Sequence, residues 1–144
     1  MININRRHVN YESAEQMIPE VKAKLIRIQQ LNILIQNCLK TLRTKNIKFH
    51  NNMDDMDEYD NESIDTISSL KIMLSTVQNE IDILKDQGCL LINIEKGIIH
   101  WHSQHNNKEI ILSWVSGEQP RCHWHYQEDD FDNRKPMKEL SPVS

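Results

Sequence analysis

Apolar residues that return every seventh position over four heptads can be buried only if one helix lies along another element. The segment 11–45 carries such a stripe: Ala14, Val21, Ile28, Ile35 and Leu42. Met17, Ile18, Leu25, Leu31, Cys38 and Leu39 fill the neighbouring rows and broaden the face. Ser13 is the expected N-cap, Glu15 and Glu20 suit the positive end of the helix dipole, and Pro19 falls in the early turns. A second stripe spans 62–87, where Ile67, Leu70, Leu74, Val77, Ile81 and Leu84 alternate three and four apart. Gly88 is the expected stop, since glycine takes the left-handed conformation that ends many helices. Two matching stripes joined by one connection predict an antiparallel, coiled-coil hairpin.

The connection 46–61 crowds Asp54, Asp55, Asp57, Glu58 and Asp60 just before Glu62. A calcium loop needs Gly at its sixth position and Glu at its twelfth. Counted from Asp55, those positions hold Asp60 and Thr66, so the run reads as a solvated acidic loop.

After Gly88 the period changes. "CLLINIEKGIIHWHS", "KEIILSWVS" and "RCHWHYQ" are short and rich in β-branched and aromatic residues, with "SQHNN" and "SGEQP" as turns. The spacing predicts a small antiparallel β-meander of three or four strands over 89–127, followed by a C-terminal loop and tail over 128–144. The expected class is α+β, with residues 1–144 as a single domain.

Seventeen Lys and Arg against 21 Asp and Glu leave a net charge of −4, which gives no general pull toward nucleic acid or a membrane. No stretch approaches the ~20 apolar residues of a membrane span. Three cysteines, Cys38, Cys89 and Cys122, are widely spaced without a CxxC pair, as suits a reducing compartment. A soluble, cytoplasmic protein without nucleic-acid or membrane partners is expected.

The order of motifs resembles the prokaryotic domain-of-unknown-function family 2203. The resemblance runs from Tyr11 to Met137 and rests on "DQGCLLINIEKGIIHW", "EIILSWVSGE", "HWH" and "DFDNRKPM". Its specific residues are Gly97, Trp114, Gly117, Glu118, Trp124, His125, Phe131, Arg134 and Pro136. The family pattern has an acid where His100 stands, a proline near His102, and glycines at Asp130 and Asn133. A four-histidine site would therefore not be common to the family. The resemblance implies the fold and no activity. It draws attention to Trp114, Trp124 and Arg134 as binding residues, and to His125.

The two His-Trp-His runs admit two readings. In a strand, His100 and His102 share one face and Trp101 the other; His123 and His125 oppose Trp124. On the first reading the tryptophans are core and the imidazoles face water. On the second, His100, His102, His123 and His125, with Glu128, hold a divalent transition metal such as zinc. In a simple meander the two histidine strands stand two strand spacings apart, about 9.6 Å. Imidazoles spanning that gap need a small residue between them, and Ser113 is the candidate. Arg134 is expected to pair with Glu128, Asp129 or Asp130. Cys122 and His123 are adjacent in a strand, point to opposite faces, and so cannot form a nucleophilic dyad.

The function expected from these features is that of a non-enzymatic protein-interaction module. Ile26, Ile33 and Leu34 lie outside the main stripe, which points to a dimer or another protein partner through the hairpin. A metal-binding protein, with or without metal-dependent enzyme activity, is the alternative.

Overall fold

The computed structural model describes residues 7–53 and 57–140. Two helices come first, α1 (Tyr11–Thr44) and α2 (Asn61–Asp86). They are followed by β1 (Leu90–Asn93), β2 (Ile98–His105), β3 (Lys108–Val115), β4 (His123–Tyr126) and β5 (Lys135–Pro136). The five strands form one antiparallel sheet in the order β1-β2-β3-β4-β5. The α+β class with a helical hairpin and a meander is therefore what the chain adopts. The strand number is corrected from three or four to five. The extra strand is only two residues long and contains Pro136, which has no N–H to donate, so it sits at an edge and leaves no alternation to read.

Both helices start and stop by the same chemistry. Asn10 Oδ1 accepts the Ser13 N–H at 2.8 Å, and Asp60 Oδ1 accepts the Ser63 N–H at 3.1 Å. Ser13 is thus the donor to the cap and not the cap itself, because Asn10 presents an acceptor three residues earlier. At the other ends, Asn46 (φ 60°) and Gly88 (φ 85°) are left-handed. The following N–H groups of Ile47 and Cys89 reach back to the carbonyls of Leu42 and Leu84, each at 2.9 Å, closing a Schellman motif.

Contacts divide the chain into two compact units. One comprises Ile26–Glu80; the other holds the chain up to Leu25 and from Ile81 onward. Within the first, Arg27 Nη1 meets Glu80 Oε2 at 2.9 Å and Lys45 Nζ meets Asp60 Oδ2 at 2.9 Å. A mid-α1 residue against one late in α2, and the residue just after α1 against the one just before α2, fix the antiparallel direction. Ile28, Ile35 and Leu42 of α1 and Ile67, Leu70 and Val77 of α2 are buried there. Asp57, Glu58 and Asp60 of the acidic loop are described; Asp54 and Asp55 lie outside the described residues, as does the tail from residue 141.

In the second unit the β2–β3 hairpin closes on Asn106 and Asn107, both at positive φ (51° and 64°), the two-residue turn that matches strand twist. Ile99, Trp101, Ile110, Leu112, Trp114 and Trp124 share one face by register and are all buried. The start of α1 packs there: the Glu15 carboxylate accepts the Cys122 N–H at 2.9 Å. The segment before α1 also pairs, with the Val9 N–H donating to the His102 carbonyl at 2.9 Å. No described helix is long and apolar enough to cross a membrane.

Candidate functional site

The opposite face of the sheet carries the histidines. Register places His100, Ser113 and His123 in one row across β2, β3 and β4, and His102, Ile111 and His125 in the next. The two histidine strands do flank β3, and Ser113, fully buried, is the small residue between His100 and His123. The diagonal pair comes closest: the His100 and His125 rings stand edge to face with centroids 5.9 Å apart.

This face is roofed by residues after β4. Phe131 stacks on the His100 ring at 5.8 Å, and the Arg134 guanidinium lies 4.8 Å from the Phe131 centroid. Arg134 is held by both carboxylate oxygens of Glu118, with Nη1 donating to Oε1 at 3.0 Å, and Nη1 also reaches Ser113 Oγ at 3.5 Å. The expected partners were Glu128, Asp129 and Asp130. The structure replaces them with Glu118, because those three acids are exposed in the turn after β4 while Glu118 projects beside Ser113. Glu118 is fastened further by accepting the Val115 N–H at 3.0 Å. Burial is the largest single influence and raises its carboxyl pKa, but the Arg134 bond, the Val115 N–H and the charges of Arg134 and His123 together outweigh it, so the net shift is downward and the pair is ionic.

The reading of wet imidazoles opposite dry tryptophans holds on β2, where Trp101 is fully buried and His100 and His102 are half-buried. It is corrected on β4: His125 is only 5% exposed, beside Trp124 at 3%. The His125 ring packs edge to face against His100, a cross-strand contact that alternation along one strand does not reveal. His125 Nδ1 donates to the Tyr126 carbonyl at 2.7 Å, which fixes a proton on Nδ1 and orients Nε2 the other way. That Nε2, like Nε2 of His100, is buried without a hydrogen-bond partner. Burial, then the charges of His125, His102 and Arg134, push the His100 pKa down to about 4, so this imidazole is neutral at physiological pH.

The remaining candidates are dispersed. Trp114 is buried on the helix-packed face, and its indole N–H donates to the Gln119 carbonyl at 3.0 Å. Trp124 lies on that same face; its N–H goes to the Pro136 carbonyl at 3.2 Å, which ties β5 in place. Glu128 is exposed in the turn. Among the described residues, no three His, Cys, Asp or Glu side chains gather as a metal ion requires. Burial pushes the Cys89 and Cys122 thiols up to about 12, so neither is a nucleophile near neutral pH. Two residues of the cluster were missed as site members by sequence reasoning, Glu118 and Phe131. Both stand in the motif pattern above, yet neither carries a local sign that it would meet Arg134 or His100.

The model of a family described as "Uncharacterized conserved protein (DUF2203)" matches residues 7–137, nearly the whole chain, and the chain belongs to that family. No curated protein and no solved structure matches it.

Proposed function

Membership of that family supplies no activity, and from the geometry we propose that the chain is a non-enzymatic interaction module that self-associates through its helical hairpin. The observation that carries this is the exposure of large apolar side chains on the hairpin: Ile33 is 62% exposed, Leu34 51% and Ile72 68%. Two helices have one shared seam, and these residues lie off it. Burying them against a second copy removes apolar surface from water at about 25 cal/mol per Å². Light scattering at high micromolar concentration is the test. A dimer mass supports the reading, and a monomer mass for the wild-type chain overturns it.

The imidazole pair favours a second reading. Two imidazoles 5.9 Å apart, each with a buried unpartnered Nε2, are suited to a borderline metal ion such as zinc or copper. His125 has the backbone bond on its far nitrogen that orients metal-binding imidazoles. Two ligands seldom hold zinc tightly, so His102, His123 or Glu128 would have to move in to complete the set. Elemental analysis of untagged protein tests this. A stoichiometric metal that is lost in the His100→Ala/His125→Ala double variant supports it; metal-free protein that fails to take up zinc or copper at micromolar concentration ends it.

A further inference from the structure

The side of the hairpin that bears the ion pairs shows how two copies fit. One row of α1 runs Arg27, Leu31, Leu34, Cys38, Lys45, and one row of α2 runs Glu62, Ser69, Met73, Thr76, Glu80, by helical spacing of three, four and seven. The observed pairs Arg27–Glu80 and Lys45–Glu62 place both rows on the same side of the hairpin. Counting inward from these pairs sets Leu31 beside Thr76, Leu34 beside Met73, and Cys38 beside Ser69. The strip between the ion pairs carries no charge. Leu34 is half exposed, and Leu31, Cys38 and Met73 are half-buried. An apolar centre with charged ends is the composition of an interface core and its rim. Eighteen residues of helix are roughly 27 Å long, and two adjacent helices make the strip about 500 Å². That area is suited to a weak, concentration-dependent pair and is too small for an obligate one.

We infer that this strip packs on the same strip of a second copy about a twofold axis parallel to the helices, so that α1 of one copy lies antiparallel on α2 of the other in a four-helix bundle. This rests on the self-association proposed above; of the exposed residues named there the strip covers Leu34, while Ile33 and Ile72 lie outside it. The charge layout selects the axis. At both ends of the strip α1 is basic and α2 is acidic. A twofold along the helices sets Arg27 over the second copy's Glu80, and Lys45 over its Asp60 and Glu62. A twofold across the helices lays α1 on α1, which brings Arg27 over Arg43 and Lys45, and Glu62 toward Glu80. Like charges facing each other are costly at an interface. The same layout explains why the occupant is a second copy: the strip is complementary to itself.

The test is a four-substitution variant, Arg27→Glu, Glu80→Arg, Lys45→Glu and Glu62→Lys. It keeps the Arg27–Glu80 and Lys45–Glu62 pairs at reversed polarity and gives up only the Lys45–Asp60 pair, so the hairpin retains most of its own contacts. Asp60 is left alone because it caps α2. Wild type and variant, distinguished by mass, are mixed and examined by native mass spectrometry, with helix content checked by circular dichroism. Each alone forms a dimer, and mixed dimers fall at least about tenfold below random exchange, because α1 of each would meet α2 of like charge. Mixed dimers at or above the random share overturn the axis, since α1 on α1 favours the mixture. A helical variant that stays monomeric while the wild type pairs also overturns it. A monomeric wild type fails earlier, at self-association itself.

Discussion

Over the histidine face, Phe131 and Arg134 return from beyond β4 and cover the His100 ring and Ser113. On the hairpin, the chain leaves Leu34 half exposed between Arg27 and Lys45, and Ile33 and Ile72 more so off that row. The first surface is polar and covered; the second is apolar and open. Covering a polar surface is costly unless its donors and acceptors are paired; Arg134 with Glu118 and Ser113 supplies part of that pairing, while Nε2 of His100 and of His125 stay without it. An apolar helical surface has no such requirement and can wait for a partner at modest cost. The contrast separates stability from association: the sheet unit should be sensitive to loss of single polar contacts, and the hairpin's exposed residues should affect assembly more than folding.

The largest effect on this contrast is expected from Arg134→Ala. It leaves the Glu118 carboxylate part-buried without its guanidinium and strips the roof from Phe131, and should cost about 3 kcal/mol in urea unfolding. A loss below half of that would mean the roof adds little. Gly88→Ala comes next. Its φ of 85° strains any side chain, and a Cβ there would stand 2.8 Å from Val9 Cγ2, so about 2 kcal/mol is expected from the same measurement.

A smaller effect follows from pH. The folded pKa of His100, about 4, lies below its ordinary 6.5, so the unfolded chain takes up the proton first. Stability from this group is full above pH 6.5 and is lost as pH falls toward 4. The loss is on the order of 1 kcal/mol once solvent screening of a half-buried ring is allowed for. Comparing urea midpoints of the wild type and His100→Asn across that range isolates it; parallel pH curves would remove His100 as the cause. The smallest change in folding is expected from Leu34→Ala, within about 0.5 kcal/mol for a side chain this exposed. The same substitution should weaken the dimer in light scattering. If it destabilises the monomer as much as Arg134→Ala does, the contrast between the two surfaces collapses.

Much of this was legible in the residues. The heptad positions Ala14, Val21, Ile28, Ile35 and Leu42 are all buried, Gly88 ends α2, and Trp101 and Trp124 take the helix-packed face. Ser113 does stand between His100 and His123. Each of these depends on helical or strand periodicity, which is a local property of neighbouring residues. The same locality misassigned the cap of α1, where Ser13 and Asn10 both have capping side chains and only backbone geometry chooses between them.

What the sequence by itself determined is the set of elements, their order, and which residues along each share a face, because period and turn chemistry act over a few residues. What only the tertiary structure decided is what covers the faces. Glu118 meets Arg134 sixteen residues on, Phe131 stacks on His100, and β5 pairs with β4 through Lys135 and Pro136. Phe131 covers His100, burial and the Arg134 charge help to push its pKa down, and no periodicity encodes these contacts. They arise because the sheet, once formed, offers a second face with buried polar atoms, and the chain returning from β4 is the segment within reach to satisfy part of it.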